Sequence, residues 1–264
     1  MRKKFFAYSA VLLILIITLA VFAWDLAKNS EITELKPVIG NGVYQEEERR
    51  LENTYSGLDV RARLGNEYAA QNFYTNINII IDKKNDSTLK VIADSNLLEY
   101  ISTDIKDKTL FIVTQKPLQA QNKIIIEIGE SSLEKINFAG EGSIKSNKPL
   151  SRDNMEIQYQ GGGELDLEIA AKNINLKYVA AATKRINMML KGNCINFTAF
   201  SVGAGVIDAR NLIMEKATVA VYRDNSQAKI MVSPEKVLEI ADGNLMQTDE
   251  TGGINVIAMR VKMF

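Results

Sequence analysis

The chain has 264 residues, of which 46% are hydrophobic and 24% are charged, a composition typical of a folded protein. It contains no histidine and a single cysteine, which excludes histidine-dependent catalytic triads, histidine-ligated metals, intramolecular disulfides and thiolate clusters. Lysine plus arginine equals aspartate plus glutamate at 32 each, so the strongly basic balance of a nucleic-acid-binding protein is absent and we expect no nucleic-acid partner.

Residues 1–24 predict an export segment. Three basic residues at positions 2–4 precede twenty uncharged residues, Phe5 to Trp24. At about 1.5 Å per residue, a helix of this length covers the roughly 30 Å hydrocarbon core of a bilayer. We therefore predict one N-terminal hydrophobic helix, either a signal peptide cleaved near Val21-Phe22-Ala23 or an uncleaved membrane anchor, and the length of the apolar run favours the anchor. The basic flank predicts a cytoplasmic N-terminus and an exported remainder.

Residues 25–56 are predicted to form a spacer. They contain the breakers Lys36-Pro37 and Gly40-Asn41-Gly42. The run from Gln45 to Glu52 is polar on every face, which is typical of a short solvated helix or a flexible stalk.

Residues 57–122 are predicted to form a β-rich N-terminal unit. Apolar residues alternate in strand-like fashion, as at Ile77, Ile79 and Ile81. Between two such segments, residues 96–101 predict one helical turn or an irregular loop.

Residues 123–264 repeat with a period of about 20–22 residues, and such a period indicates a repeat architecture. Four columns recur in phase: aromatic residues, aliphatic residues, small-residue triplets and asparagines. The aromatic column contains Phe138, Tyr159, Tyr178, Phe200 and Tyr222, and the aliphatic column contains Ile144, Leu165, Ile186, Ile207 and Ile230. The triplets are Gly140-Glu141-Gly142, Gly161-Gly162-Gly163, Ala180-Ala181-Ala182 and Gly203-Ala204-Gly205, and the asparagines are Asn154, Asn173, Asn193 and Asn211.

The repeat predicts an all-β fold, a parallel β-solenoid of about five to six coils that follows a β-rich N-terminal cap. Polar neighbours predict that the aromatic side chains point inward, and the alternative is that the column forms an exposed platform on which sugars stack. The small triplets predict corners where backbones approach closely or adopt positive φ. The asparagines are expected to bond from coil to coil, and residues 254–261 to cap the open end of the stack.

The order of these features resembles the putative auto-transporter adhesin head GIN domain family. The resemblance covers about Thr54 to Asn244, and the stretches Leu89–Leu98 and Ile105–Ile112 look like the segment that precedes the repeats in that family. It implies a right-handed parallel β-solenoid and a location in the bacterial cell envelope, and it brings no catalytic residues. The sequence departs from the family pattern at Ala180-Ala181-Ala182 and Asp224-Asn225-Ser226, where altered corners are expected.

The most enzyme-like cluster contains Glu164, Asp166 and Glu168 on one strand, with Lys145 and Arg185 one coil before and one coil after. A glycosidase needs two carboxyl groups about 5–10 Å apart, which adjacent coils could supply. The alternative is an exposed ladder formed by positions 145, 166, 187 and 208, with opposite charges paired between coils. We favour the ladder because neither an aromatic platform nor a second column of carboxylates accompanies the cluster.

These observations predict a non-catalytic cell-envelope binding or adhesion module without a cofactor or metal. It is expected to present an elongated face to a glycan or protein partner and to contact the membrane through its N-terminal segment, at the periplasmic or cell surface of a bacterium. Two alternatives remain open: a carbohydrate-active enzyme that uses the surface carboxylates, and a purely structural envelope protein. Cys194 is expected in the core, since no histidine can activate it.

Overall fold

The structure is a computed structural model that describes residues 36–64, 73–83, 87–129, 132–180, 184–222, 228–240, 244–248 and 254–258. The hydrophobic helix and the cleavage site predicted within residues 1–24 lie outside these ranges. In the described part of the chain, no helix has the length and hydropathy needed to span a bilayer.

Strands make up most of the described residues, which confirms the predicted all-β fold. The strands are β1 (Val38–Ile39), β2 (Tyr44–Arg50), β3 (Gly57–Arg61), β4 (Arg63–Leu64), β5 (Phe73–Tyr74), β6 (Asn76–Lys83), β7 (Thr88–Asp94), β8 (Ile101–Lys106), β9 (Thr109–Thr114), β10 (Leu118–Gln119), β11 (Ile124–Gly129), β12 (Lys135–Ser146), β13 (Leu150–Ala180), β14 (Ile186–Val202), β15 (Gly205–Tyr222), β16 (Ala228–Val232), β17 (Val237–Ile240), β18 (Asn244–Thr248) and β19 (Ile254–Ala258). A 3₁₀ helix over Ser95–Tyr100 lies where the sequence predicts a helical turn.

Parallel pairing joins β12 to β13, β13 to β14, β14 to β15 and β15 to β16. The register places one buried apolar column at the centre of these strands, formed by Ile144, Leu165, Met188, Ile207 and Ile230. The third member is Met188 and not the predicted Ile186. The reason is that more residues separate a position on β13 from its partner on β14 than a constant period would give, so Leu165 pairs with Met188.

Antiparallel pairs flank this parallel stack, so the sheet is mixed and not wholly parallel. On the N-terminal side, β7 pairs antiparallel with β2 and β11, and β8 pairs antiparallel with β9. On the C-terminal side, β19 pairs antiparallel with both β16 and β18, in the region where the sequence predicts a cap. Such pairing satisfies backbone groups that the terminal strands of a parallel stack would leave open.

The predicted spacer, residues 25–56, differs from the structure from Val38 onward. There β1 pairs with β10, and β2 pairs with β7 over its whole length. Because β2 is an edge strand with one neighbour, its glutamates face solvent, and the apolar alternation of a half-buried strand is missing. The guanidinium group of Arg49 fastens the strand by donating to the carbonyl oxygen of Leu98 at 3.0 Å.

The predicted aromatic column divides between core and surface. The side chains of Phe138, Tyr159 and Tyr178 are at most 2% exposed, and successive ring centroids lie 4.6 and 6.5 Å apart. The prediction is wrong for Phe200 and Tyr222, which face outward, and Tyr222 is 47% exposed. In the observed register Tyr178 pairs with Ser201, so Phe200 lies one position away from the buried column. A shift of one position along a strand moves a side chain to the opposite face of the sheet.

The glycine triplets form the predicted corner. Gly140 pairs with Gly161 and Gly142 with Gly163, and both Gly142 and Gly161 have a φ of 130°. A Cβ atom on Gly161 would lie 1.9 Å from the carbonyl oxygen of Gly140, so a side chain cannot be accommodated there. The next predicted corner, at Ala180-Ala181-Ala182, lies outside the described residues after Ala180.

An exposed asparagine ladder also links successive parallel strand segments, as predicted. The side-chain amide of Asn173 donates to Asn154 Oδ1, and that of Asn196 donates to Asn173 Oδ1, both at 2.8 Å. The third member is Asn196 and not the predicted Asn193, which follows from the same offset between β13 and β14.

Candidate binding cleft

The predicted charge ladder is only partly formed. Lys145 and Asp166 are register partners, but the next position on β14 is Met189 and not Asn187. The carboxylate of Asp166 forms its ion pair with Lys191 instead, at 3.3 Å and without hydrogen-bond geometry. Asp166 therefore has a lysine and a methionine as its register neighbours, and neither is the second carboxylate that a glycosidase needs.

The other two carboxylates along this line also have basic residues as neighbours. The backbone amide of Glu168 is held by Ser146 Oγ at 2.9 Å, and its register partner is Lys191. Asp208 lies one strand beyond Met189 and forms an ion pair with Arg210 at 2.8 Å. Hydrogen bonding from this guanidinium holds the pKa of Asp208 below its ordinary value.

Glu164 and Arg185 instead belong to a cleft of about 950 Å³. The cleft lies beside the glycine corner, and strands β6, β12 and β13, the segment from Gln119 to Lys123 and the residues before β14 contribute to it. The sequence identified Glu164 and Arg185, whereas Glu141, Lys184 and Tyr74, which line the same cleft, were not singled out. Lys145, Asp166 and Glu168 are not among the lining residues.

The charged side chains of the cleft form one engaged pair and leave others available. The ammonium group of Lys184 forms an ion pair with Glu141 and lies 5.7 Å from the centroid of the Tyr74 ring. Glu164 and Arg185 are exposed, and neither has an ion-pair partner among the described residues. The cleft can therefore offer a ligand both a carboxylate and a guanidinium.

Amide and hydroxyl groups line another wall of the cleft. Ser143 Oγ donates to Asn78 Oδ1 at 2.8 Å, while Asn78 Nδ2 donates to Asn76 Oδ1 at 3.3 Å and to the carbonyl oxygen of Ile124 at 3.1 Å. These bonds fix the orientation of the amides, so less side-chain entropy remains to be lost when a ligand binds.

A buried carboxylate positions the loop at the rim. Asp94 is fully buried and accepts hydrogen bonds from the backbone amide of Gln121 at 2.7 Å and from the amide side chain of Asn122 at 2.6 Å. Gly40 packs against it, and a Cβ atom there would lie 1.8 Å from Asp94 Oδ2. Sequence reasoning missed this arrangement because its members are far apart along the chain and each resembles an ordinary loop residue.

Cys194 is buried, in agreement with the prediction of a core residue. Its residue exposure is 7%, and burial raises the pKa of the thiol to about 11. Within the described ranges, no three aspartate, glutamate or cysteine side chains gather in a group that could hold a metal ion.

Comparisons with known proteins give a family and a fold. The profile of the family described as putative auto-transporter adhesin, head GIN domain, matches residues 68–241, which confirms the resemblance inferred from the repeats. No curated protein matches the chain.

Among solved structures, a putative lipid binding protein from Parabacteroides distasonis is 18% identical and superposes with a TM-score of 0.55, covering 78% of this chain and 97% of its own. A putative adhesin from Bacteroides fragilis is 15% identical with a TM-score of 0.49, covering 77% and 100%. A putative adhesin from Parabacteroides merdae is 15% identical with a TM-score of 0.48, covering 77% and 97%. At such identities the first of these likenesses shows the fold alone.

Proposed function

The chain belongs to the putative auto-transporter adhesin head GIN domain family, and on that basis we propose that it is a non-catalytic binding module of the bacterial cell envelope. The ligand is a glycan, and it occupies the cleft between Glu164, Arg185 and Tyr74. Family membership supports the adhesive role and the export of the protein, and the segment 1–24 is proposed to tether it to the membrane.

The composition of the cleft is the observation that carries this proposal. A glycan presents hydroxyl groups that both donate and accept hydrogen bonds, so its site needs donors and acceptors side by side. Glu164 accepts, Arg185 and the Asn76 Nδ2 group donate, and Asn78 Oδ1 has a second lone pair with which to accept. Hydrogen bonds to charged groups contribute about 1.5–3 kcal/mol each, so these two side chains are the strongest candidates for affinity. A volume of about 950 Å³ is at the upper end of ordinary ligand sites and has room for several sugar units.

The strands around the cleft are proposed to wind as a right-handed parallel solenoid. In support, Ile144 pairs in parallel with Leu165 on the following coil, and Ile186 pairs in the same way with Gly205. Each coil brings the residue after a glycine corner to the same side of the molecule, so a cleft assembled from consecutive coils can follow an extended chain.

The enzyme alternative has a specific observation in its favour, since Glu141 and Glu164 line the same cleft. Glu141 pairs in register with Gly162, two positions before Glu164, so the two side chains are diagonal neighbours. Glu141 is nevertheless engaged with Lys184, and a catalytic role would require this ion pair to open. The non-catalytic proposal is therefore preferred.

A glycan array probed with the full chain in detergent tests the proposal. We expect a defined subset of glycans to bind, and Arg185→Ala and Glu164→Gln each to weaken that binding at least tenfold. Lys145→Ala is the matched control, because Lys145 is equally exposed and lies outside the cleft.

The proposal would be contradicted by an array that binds no protein even at high concentration. It would also be contradicted if Arg185→Ala and Glu164→Gln both bound glycans as tightly as the unchanged protein. Hydrolysis of a bound glycan that Glu141→Gln and Glu164→Gln both abolish would establish the enzyme alternative instead.

A further inference from the structure

A second surface combines aromatic, amide and cationic side chains on the strand segments that precede the glycine corner, whereas the cleft uses residues that follow it. We call it the aromatic face, and it consists of Asn137, Gln158, Gln160, Lys177, Phe200 and Tyr222. Asn137, Gln158, Gln160 and Lys177 also line a groove of about 750 Å³. Phe200 is the register partner of Lys177, so the groove continues directly into the two rings.

The two rings are not explained by core packing. Their centroids are 4.9 Å apart at an interplanar angle of 35°, and Tyr222 is 47% exposed. The core beside Phe200 is instead occupied by Tyr178, which is fully buried and is the register partner of Ser201. Two adjacent aromatic rings facing solvent form an apolar platform with one polar edge, and the flat C–H face of a sugar ring can stack on such a platform.

The amides that line the groove supply partners for hydroxyl groups. Asn137 and Gln158 are register partners on neighbouring strands, which lie about 4.8 Å apart. Asn137 Oδ1 is buried and has no hydrogen-bond donor among the described residues, so a ligand can reach this amide only through its Nδ2 group. Gln158 Nε2 donates to Glu156 at 2.7 Å, which orients this side chain and leaves its carbonyl oxygen to accept from a ligand.

The charges along the groove favour an anionic ligand. It is lined by three cations, Arg61, Arg63 and Lys177, and by one carboxylate, Asp59, which forms an ion pair with Arg61 at 2.9 Å. Lys177 has no ion-pair partner in the part of the chain that the structure describes. A carboxylate of the ligand would meet the ammonium group of Lys177 while the ligand's rings and hydroxyls meet Phe200, Tyr222 and the amides.

We propose that the aromatic face is a second carbohydrate site and that it binds an acidic polysaccharide. A uronate carboxylate pairs with Lys177, the adjoining sugar stacks on Phe200 and Tyr222, and the hydroxyls of the following sugars bond the row of amides. An anionic membrane would use the cation and the rings but leave the amides without partners, so the polysaccharide accounts for more of the surface. The inference does not depend on the cleft, because the two sites share no side chain named for binding.

Binding of polygalacturonate and of neutral dextran to the full chain in detergent, measured by calorimetry at two salt concentrations, tests the inference. We expect polygalacturonate to bind more weakly at the higher salt concentration and dextran not to bind. Lys177→Gln and Tyr222→Ala should each weaken polygalacturonate binding at least tenfold, whereas Tyr222→Phe, which keeps the ring, should retain it. Tyr44→Ala and Lys145→Gln are matched controls at exposed positions elsewhere.

The site of binding and the chemistry of the ligand are both open to refutation. Absence of polygalacturonate binding, equal binding of dextran, or unchanged binding by both Lys177→Gln and Tyr222→Ala would overturn the inference. Binding to phosphatidylglycerol vesicles in place of polygalacturonate would also overturn it. Arg185→Ala should leave polygalacturonate binding intact, and its loss in that variant alone would assign the polymer to the cleft. A negative result with polygalacturonate would not affect the glycan-array test of the cleft, because the two experiments probe different side chains.

Discussion

The contrast between buried and exposed aromatic residues gives the most direct test of the fold. Tyr159 and Tyr222 occupy equivalent positions in the sequence repeat, and the sequence pattern predicts the same inward environment for both. In the structure Tyr159 is 1% exposed and Tyr222 is 47% exposed. Replacing each by alanine should therefore have very different effects on the free energy of unfolding.

The expected loss for Tyr159→Ala follows from what surrounds the ring. Its centroid lies 4.6 Å from that of Phe138, and its hydroxyl oxygen lies 3.2 Å from the carbonyl oxygens of both Gly142 and Gly162, between which it shares its single proton. Removing a large buried aromatic side chain costs about 3–5 kcal/mol. Tyr159→Phe keeps the ring and should cost about 1 kcal/mol, the net value of a buried hydrogen bond. Tyr222→Ala should cost less than about 1 kcal/mol, as for most surface substitutions.

Urea denaturation followed by circular dichroism measures these differences. The matched pair controls for a general effect of removing a tyrosine from a β-strand. A loss below about 1 kcal/mol for Tyr159→Ala, or equal losses for Tyr159→Ala and Tyr222→Ala, would refute the register that places one ring inside and the other outside.

Three further predictions concern the corner, the tyrosines and the cysteine. Gly161→Ala should lower the free energy of unfolding by at least about 3 kcal/mol, because a side chain at positive φ is strained and its Cβ meets a backbone oxygen. Gly57→Ala is the control, because a Cβ atom there meets only the side chain of Thr109. Equal losses of the free energy of unfolding in the two variants would count against the close backbone approach at Gly161. Burial raises the pKa of Tyr159, so stability is full below about pH 10, the pKa of an unfolded tyrosine, and falls as the pH rises further; Tyr159→Phe should flatten this fall, and an unchanged pH profile would exclude the contribution. Cys194 should react slowly with iodoacetamide at pH 8 and quickly in urea, since its pKa is about 11 in the folded state, and rapid labelling of the folded protein would place it at the surface.

The sequence anticipated the periodic features with good accuracy. Alternation of apolar residues at Ile77, Ile79 and Ile81 predicted a buried strand face, and all three are fully buried. The glycine triplets predicted a close backbone approach, and Gly161 has no room for a side chain. These features were accessible because each depends on local spacing or on a residue type with one physical use.

The register between neighbouring parallel strands was not accessible from the sequence. A single mean period fits all the columns, yet the actual steps are uneven, since the step from Gly163 to its partner Ile186 is longer than the step from Ile186 to its partner Gly205. A shift of one position moves a side chain from the core to the solvent. For this reason the sequence favoured a core position for Phe200 over the alternative of an exposed sugar-stacking platform.

The sequence by itself determined the composition, the family resemblance and the strand periodicity. Apolar alternation and glycine spacing are local patterns, so they can be recognised without knowing which strands pair. The tertiary structure alone decided which charges meet. It separated Glu164 and Arg185 from Asp166, which pairs with Lys191, and joined the former two to Glu141 in one cleft. Contacts between neighbouring strands depend on exact offsets in the chain, and those offsets are set by the conformation of the connecting residues and by side-chain packing.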